Sequence, residues 1–165
     1  MQQVIKNGEV LSDDWQLVPK EAQLADLPEN VGCIVPLSLW QAEREALKAR
    51  QGGLAIWLDA DEEVEQIAND LPNFALIALN FPAFTDGRAY SSAALLRQRY
   101  GFKGEIRAIG DVLRDQLFAM RRCGFDAFAI RADKDPHDAL KGLSDFSDSY
   151  QASVEQPLPL FRRRA

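Results

Sequence analysis

Phe74-Ala75-Leu76-Ile77-Ala78-Leu79 is apolar at every position. A half-buried strand alternates apolar and polar residues, so a run without alternation reads as a central strand covered on both faces. Four more strand-like runs occur at Val31 to Leu37, Leu54 to Leu58, Glu105 to Ile109 and Ala127 to Arg131, and each of the five precedes a helical pattern. A parallel neighbour is reached only through a crossover, so this alternation predicts a parallel sheet. The expected fold is α/β, a single parallel sheet of about five strands in the flavodoxin-like, doubly wound arrangement. The alternative is a partial β/α barrel with helices on one face. Glu105 and Arg107 put two charges on one face of the fourth run, which an edge strand or a polar barrel interior tolerates.

The helices carry their own punctuation. Ser38 and Gln41 stand in capping-box spacing at the head of the first, and Gly52-Gly53 should stop it. The second places Val64, Ile67, Ala68 and Leu71 on one face behind the acidic turn Asp61 to Glu63, and Pro72 ends it. The third runs from about Ser91 to Tyr100 and closes at Gly101, and the fourth runs from Asp111 to Gly124. Asp135 caps the fifth, with Pro136 at its first position and Ala139, Leu143, Phe146 and Tyr150 at helical spacing. Ahead of the repeat, Asn7-Gly8 inside Val4 to Val10 predicts a type I′ hairpin. The organisation expected is a hairpin and linker over 1–30, an α/β domain over 31–150 and an extended basic tail over 151–165. Pro157, Pro159 and Arg162 to Arg164 give that tail its character, as a docking segment or as a strap folded back on an acidic body.

At 165 residues, 47% apolar and 27% charged, the chain has room for one domain. It carries 25 acidic against 19 basic residues, a formal net charge of −6, which argues against nucleic acid as a partner. The uncharged stretch Phe74 to Thr85 contains Pro82 and falls far short of a membrane span. Met1 to Gly8 has no apolar signal core and there are two cysteines, Cys33 and Cys123, so a cytoplasmic setting is expected. One histidine, His137, and no C-x-x-C pair leave few donors for zinc or an iron-sulfur cluster. The dinucleotide fingerprint and the P-loop are missing, since the first βα turn reads Val-Pro-Leu-Ser-Leu-Trp. Neither a cofactor nor a metal is therefore expected, and catalysis is left open. Arg121 and Arg122 give Cys123 a cationic setting that would lower a thiol pKa.

In a parallel α/β sheet, ligands bind at the carboxyl ends of the strands. The longest connection there, Asn80 to Tyr90, carries Thr85, Asp86 and Arg88. The fourth unit adds Asp111 and Arg114, and Arg131 closes the fifth strand, with Asp133 and Lys134 behind it. Thr85, Asp86, Arg88, Asp111, Arg114 and Arg131 are the candidate ligand-binding residues. Arg88, Arg114 and Arg131 form a small oxyanion pocket if they converge, because guanidinium matches oxyanions bidentately. Three surface ion pairs with Asp86, Asp115 and Asp133 are the competing arrangement.

The runs Phe-Pro-Ala-Phe-Thr-Asp-Gly-Arg-Ala-Tyr-Ser at 81–91 and Gly-Asp-Val-Leu-Arg-Asp-Gln-Leu-Phe-Ala-Met-Arg-Arg-Cys-Gly-Phe-Asp-Ala-Phe at 110–128 resemble a bacterial domain-of-unknown-function family, number nine-three-four. The resemblance extends to Trp40-Gln41-Ala42-Glu43-Arg44 and to the terminal Pro-Leu-Phe-Arg-Arg-Arg. Ala89 stands where the family often has glycine. Such proteins are typically encoded beside assimilatory sulfite reductase and labelled oxidoreductases on that basis. The resemblance implies a role in reducing sulfite to sulfide, with sulfite reductase and a small oxyanion as partners, and it transfers no catalytic residue. The function expected is an accessory protein of that reduction. The alternative is a small enzyme acting on an anionic metabolite at the Asp86-Gly87-Arg88 loop.

Overall fold

A computed structural model describes residues 3–83 and 86–144. Among them one mixed sheet has eight strands: β1 (Gln3–Lys6), β2 (Glu9–Ser12), β3 (Gln16–Leu17), β4 (Cys33–Pro36), β5 (Leu54–Leu58), β6 (Leu76–Phe81), β7 (Glu105–Gly110) and β8 (Ala127–Phe128). Their spatial order is β2-β1-β8-β7-β6-β5-β4-β3. The five strand-like runs became β4 to β8, all parallel. The expectation of about five strands is corrected by the segment ahead of them, which adds a hairpin at one edge and β3 at the other. Asn7 and Gly8 take the positive φ angles, 56° and 76°, that the hairpin turn requires.

The doubly wound arrangement is also corrected. A doubly wound sheet reverses its strand order at a switch point, whereas β3 to β8 lie side by side in chain order. Successive right-handed crossovers then fall on one face. Leu39, Leu47, Ala93, Met120 and Leu143 accordingly pack on Val35, Ile56, Ile77 and Ile106 in one large core. The opposite face carries Ile34, Ala55, Trp57, Leu76, Ala78 and Ile109, with Trp15 and Ala129 against them.

Chain length shows how far the sheet curls. Its edge strands β2 and β3 are joined by three residues, Asp13 to Trp15. Such a link from Ser12 to Gln16 spans at most roughly 14 Å. Laid flat, eight strands would measure about 34 Å across. The sheet therefore rolls until its edges nearly meet, with the helices outside and the second face inside. The amino end of this interior is filled by Trp15, whose ring lies where Cβ atoms at Gly32 and Gly53 would stand, 2.8 Å and 3.1 Å from it.

The outer elements are shorter than their patterns. The first helix divides at Glu43 into α1 (Leu37–Ala42) and α2 (Arg44–Ala49), and the Ser38 to Gln41 capping box is absent from the helix it was expected to start. The second is replaced by 3₁₀ turns at Val64–Ile67 and Leu71–Asn73. Asp61, Glu62, Glu63 and Glu65 explain this, because a full helix would set like charges three and four residues apart. The third is α3 (Arg88–Ala94) running into a π-helical turn at Leu95–Arg99. The fourth reduces to α4 (Leu117–Cys123), so Asp111 caps no helix. Gly101 and Gly124 have the left-handed φ expected of them, 64° and 119°. Before α5 (Pro136–Ser144), the His137 backbone N–H donates to Asp135 Oδ1 at 2.9 Å, the predicted cap. Phe146, Tyr150 and the tail over 151–165 lie outside the described residues.

Candidate anion-binding site

Charge sits inside the barrel. Arg107, in the middle of β7, has Ala78 and Ala127 as its register partners, and these small neighbours leave room for a guanidinium. Its Nε donates to Glu105 Oε2 at 2.8 Å and its Nη1 to Asp13 Oδ2 at 2.9 Å. The side chains of Arg107, Asp13 and Glu105 are 4%, 6% and 8% exposed. Lys6 Nζ completes a chain of alternating charge, 2.7 Å from Glu105 Oε1. Glu105 and Arg107 are tolerated because β7 turns this face inward, where each cation meets a carboxylate.

Above this floor the carboxyl end stays open. A cavity of about 380 Å³ is lined by Asp13, Leu17, Ile34, Arg107, Ile109, Gly110, Ala129, Ile130, Arg131 and Lys134, among others. Gly110 takes a φ of 89°, and its lack of a Cβ lets β7 pass against the Asn80 side chain. Just beyond β8, Arg131 Nη1 donates to Asp111 Oδ1 at 2.8 Å, while Nε and Nη2 hold the two oxygens of Asp133 at 2.6 Å and 2.9 Å. These bonds raise the Arg131 pKa and lower that of Asp133. A larger cavity of about 500 Å³ lies elsewhere, lined by Ile5, Arg97, Arg121, Phe125, Asp126 and Phe128, among others. Its Arg97 is occupied by the carbonyls of Phe102, Gly104 and Gly124, and among the described residues this cavity sets two cations against Asp126 where the mouth sets three against Asp13, so the mouth is the better site for an anion.

A second polar cluster occupies the rim over β5 and β6. Asp59 receives Lys20 Nζ at 2.6 Å and Asn80 Nδ2 at 2.9 Å, and Trp57 Nε1 donates to the Val18 carbonyl at 2.8 Å. Burial opposes ionisation of Asp59, yet the bonds from Lys20 and Asn80 prevail and its pKa lies below 3.8. A carboxyl depressed on folding stabilises the fold above its unfolded pKa and loses that contribution as pH falls through the folded value. Lys20→Met should therefore move the Asp59 titration upward and bring the acid loss of stability to higher pH, read by NMR titration and acid unfolding. An unmoved Asp59 titration would show that the ion pair does not form.

Of the sequence candidates, Asp111 and Arg131 meet at the mouth. Asp86 and Arg88 pair with each other at 2.6 Å, and Arg88, 59% exposed, is not among the residues lining the cavity. Bonds from Arg88 lower the Asp86 pKa to about 2. Arg114 faces Asp138 of α5 at 3.6 Å rather than the anticipated Asp115. Thr85 lies outside the described residues. The three arginines are thus distributed over three carboxylate partnerships, two of which, Asp86 and Asp133, are the ones the competing arrangement named. Cys33 is buried in the core, and burial pushes the Cys123 thiol up against the lowering influence of Arg122. Lys20, Asp59, Asn80 and Asp13 were missed as site residues, although Asp59 and Asn80 were marked by their positions at strand carboxyl ends.

Among the described residues no group of three or more His, Cys, Asp or Glu side chains is placed to hold a metal ion, and no helix is long and apolar enough to cross a membrane. A family described as bacterial protein of unknown function (DUF934) matches residues 55–161. The search of curated proteins finds no match.

Proposed function

The chain belongs to the bacterial DUF934 family of unknown function, and on that premise we propose that it is an accessory protein of sulfite reduction that binds a small anion at the barrel mouth. The observation that carries the binding site is the lining of the mouth. Among the described residues Arg107, Arg131 and Lys134 border it, and the one lining acid, Asp13, is already held by Arg107. Among the described residues three of the five N–H groups of Arg131 are engaged, which leaves two for an oxyanion. The link to sulfite and to sulfite reductase as a partner rests on the family resemblance alone.

A second reading is a small enzyme acting on an anionic metabolite at the Asp86-Gly87-Arg88 loop. Its support is the loop's place at the carboxyl end of β6, where Asn80 reaches Asp59 of the rim cluster. Titration with sulfate and sulfite separates the two. For the mouth, Arg131→Gln and Lys134→Gln should each weaken binding about tenfold or more while Arg88→Gln leaves it unchanged. The reverse pattern would move the site to the loop. Binding of purified sulfite reductase to the chain tests the accessory role, and its absence with and without sulfite would refute that part.

A further inference from the structure

The mouth is larger than a bare oxyanion needs, and part of its wall is apolar. A water occupies about 30 Å³ of liquid, so sulfite or sulfate would displace roughly two or three waters. The cavity of about 380 Å³ would remain mostly wet around such an ion. Its wall is then Leu17, Ile34, Ile109, Ala129 and Ile130, five apolar side chains facing water that a larger ligand would expel.

Polar groups are found at two depths. Arg131 and Lys134 lie past the end of β8, at the entrance, while Arg107 lies mid-strand at the floor. Arg107 is nine-tenths buried and lines the cavity, and among the described residues its Nη2 has no hydrogen-bond partner. Its charge is already balanced by Glu105 and Asp13, so the floor favours a neutral acceptor and the entrance favours the anion.

We propose that this cavity binds an organic anion, with its acidic head at Arg131 and Lys134, its apolar body against Ile34, Ile109 and Ala129, and a neutral oxygen or nitrogen acceptor turned to Arg107 Nη2. This deepens the reading of the mouth as an anion site and rests on it. The class includes carboxylates, sulfonates and phosphate monoesters that carry a ring or a short chain. A thiol-free organic sulfonate is the simplest probe, since it shares its head with the inorganic ion and differs in the body.

The test compares 1-naphthalenesulfonate with sodium sulfate by calorimetry on the full chain, in wild type, Ile109→Ala and Lys134→Gln, with thermal melting to confirm that each variant is folded. The sulfonate should bind about tenfold or more tightly than sulfate, from the apolar surface it removes from water. Lys134→Gln should weaken both ligands, and Ile109→Ala the sulfonate alone. Equal affinities, or a sulfonate affinity indifferent to Ile109→Ala, would overturn the organic ligand and leave the anion site standing. Sulfate binding alone would do the same. If neither binds the folded protein, the anion site itself is refuted.

Discussion

Arg107→Ala should cost about 3 to 5 kcal/mol of stability, the usual result of removing one partner from a buried ion pair. The variant leaves Asp13 and Glu105 inside the barrel with Lys6 as their remaining counterion. For a domain of this size the melting temperature should fall by roughly 6 to 20 °C. Replacing the three side chains together, Arg107→Met with Asp13→Asn and Glu105→Gln, should recover much of the loss, because uncharged groups of similar size no longer need counterions. A drop of less than about 2 °C in the single variant would mean that water reaches these charges and that the sheet is not rolled.

Gly110→Ala should be nearly as damaging. Its φ of 89° lies in the left-handed region, and a Cβ there would overlap Asn80 Oδ1 and stand 2.5 Å from the Phe81 carbonyl oxygen. The backbone contributes about 1 to 2 kcal/mol and the overlap about 1 to 3 kcal/mol more. Relief would require the Asn80 amide to move away from Asp59, so the damage should reach the rim as well as the fold. Urea unfolding with the slope unchanged and the midpoint lowered is the expected result. An unchanged midpoint would show that β6 and β7 do not approach each other as described.

The parallel core was legible because its signals are local. Strand-like runs marked β4 to β8, Asn7-Gly8 marked the hairpin, and Asp135-Pro136 marked the head of α5. Closure was not, because it depends on pairings far apart in the chain. Ile5 pairs with Phe128 across the antiparallel junction, and β3 is a two-residue strand that ends in the exposed Leu17. Neither has a periodic signature. The two charges of β7 did record the outcome, since a rolled sheet gives them a shared interior and a doubly wound sheet would press them against a helix layer.

The candidate site was legible in position and less so in composition. The rule that ligands gather at strand carboxyl ends found Asp111 and Arg131, which the structure joins across twenty residues. It also drew attention to the long loop, where Asp86 and Arg88 satisfy each other at a separation of two residues. Short-range complementarity of that kind is visible in sequence and points away from a ligand. The pairing of Lys20 with Asp59 joins the exit of β3 to the exit of β5, and only the rolled sheet reveals it.

Anion binding at the barrel mouth is read most directly by an NMR titration of the full chain with sulfate followed by 1-naphthalenesulfonate. The backbone amides of Gly110, Ile130, Arg131 and Lys134 should shift, together with the Trp57 indole N–H over the interior. Shifts confined to Asp86, Gly87 and Arg88, or no shifts up to millimolar ligand, would contradict it.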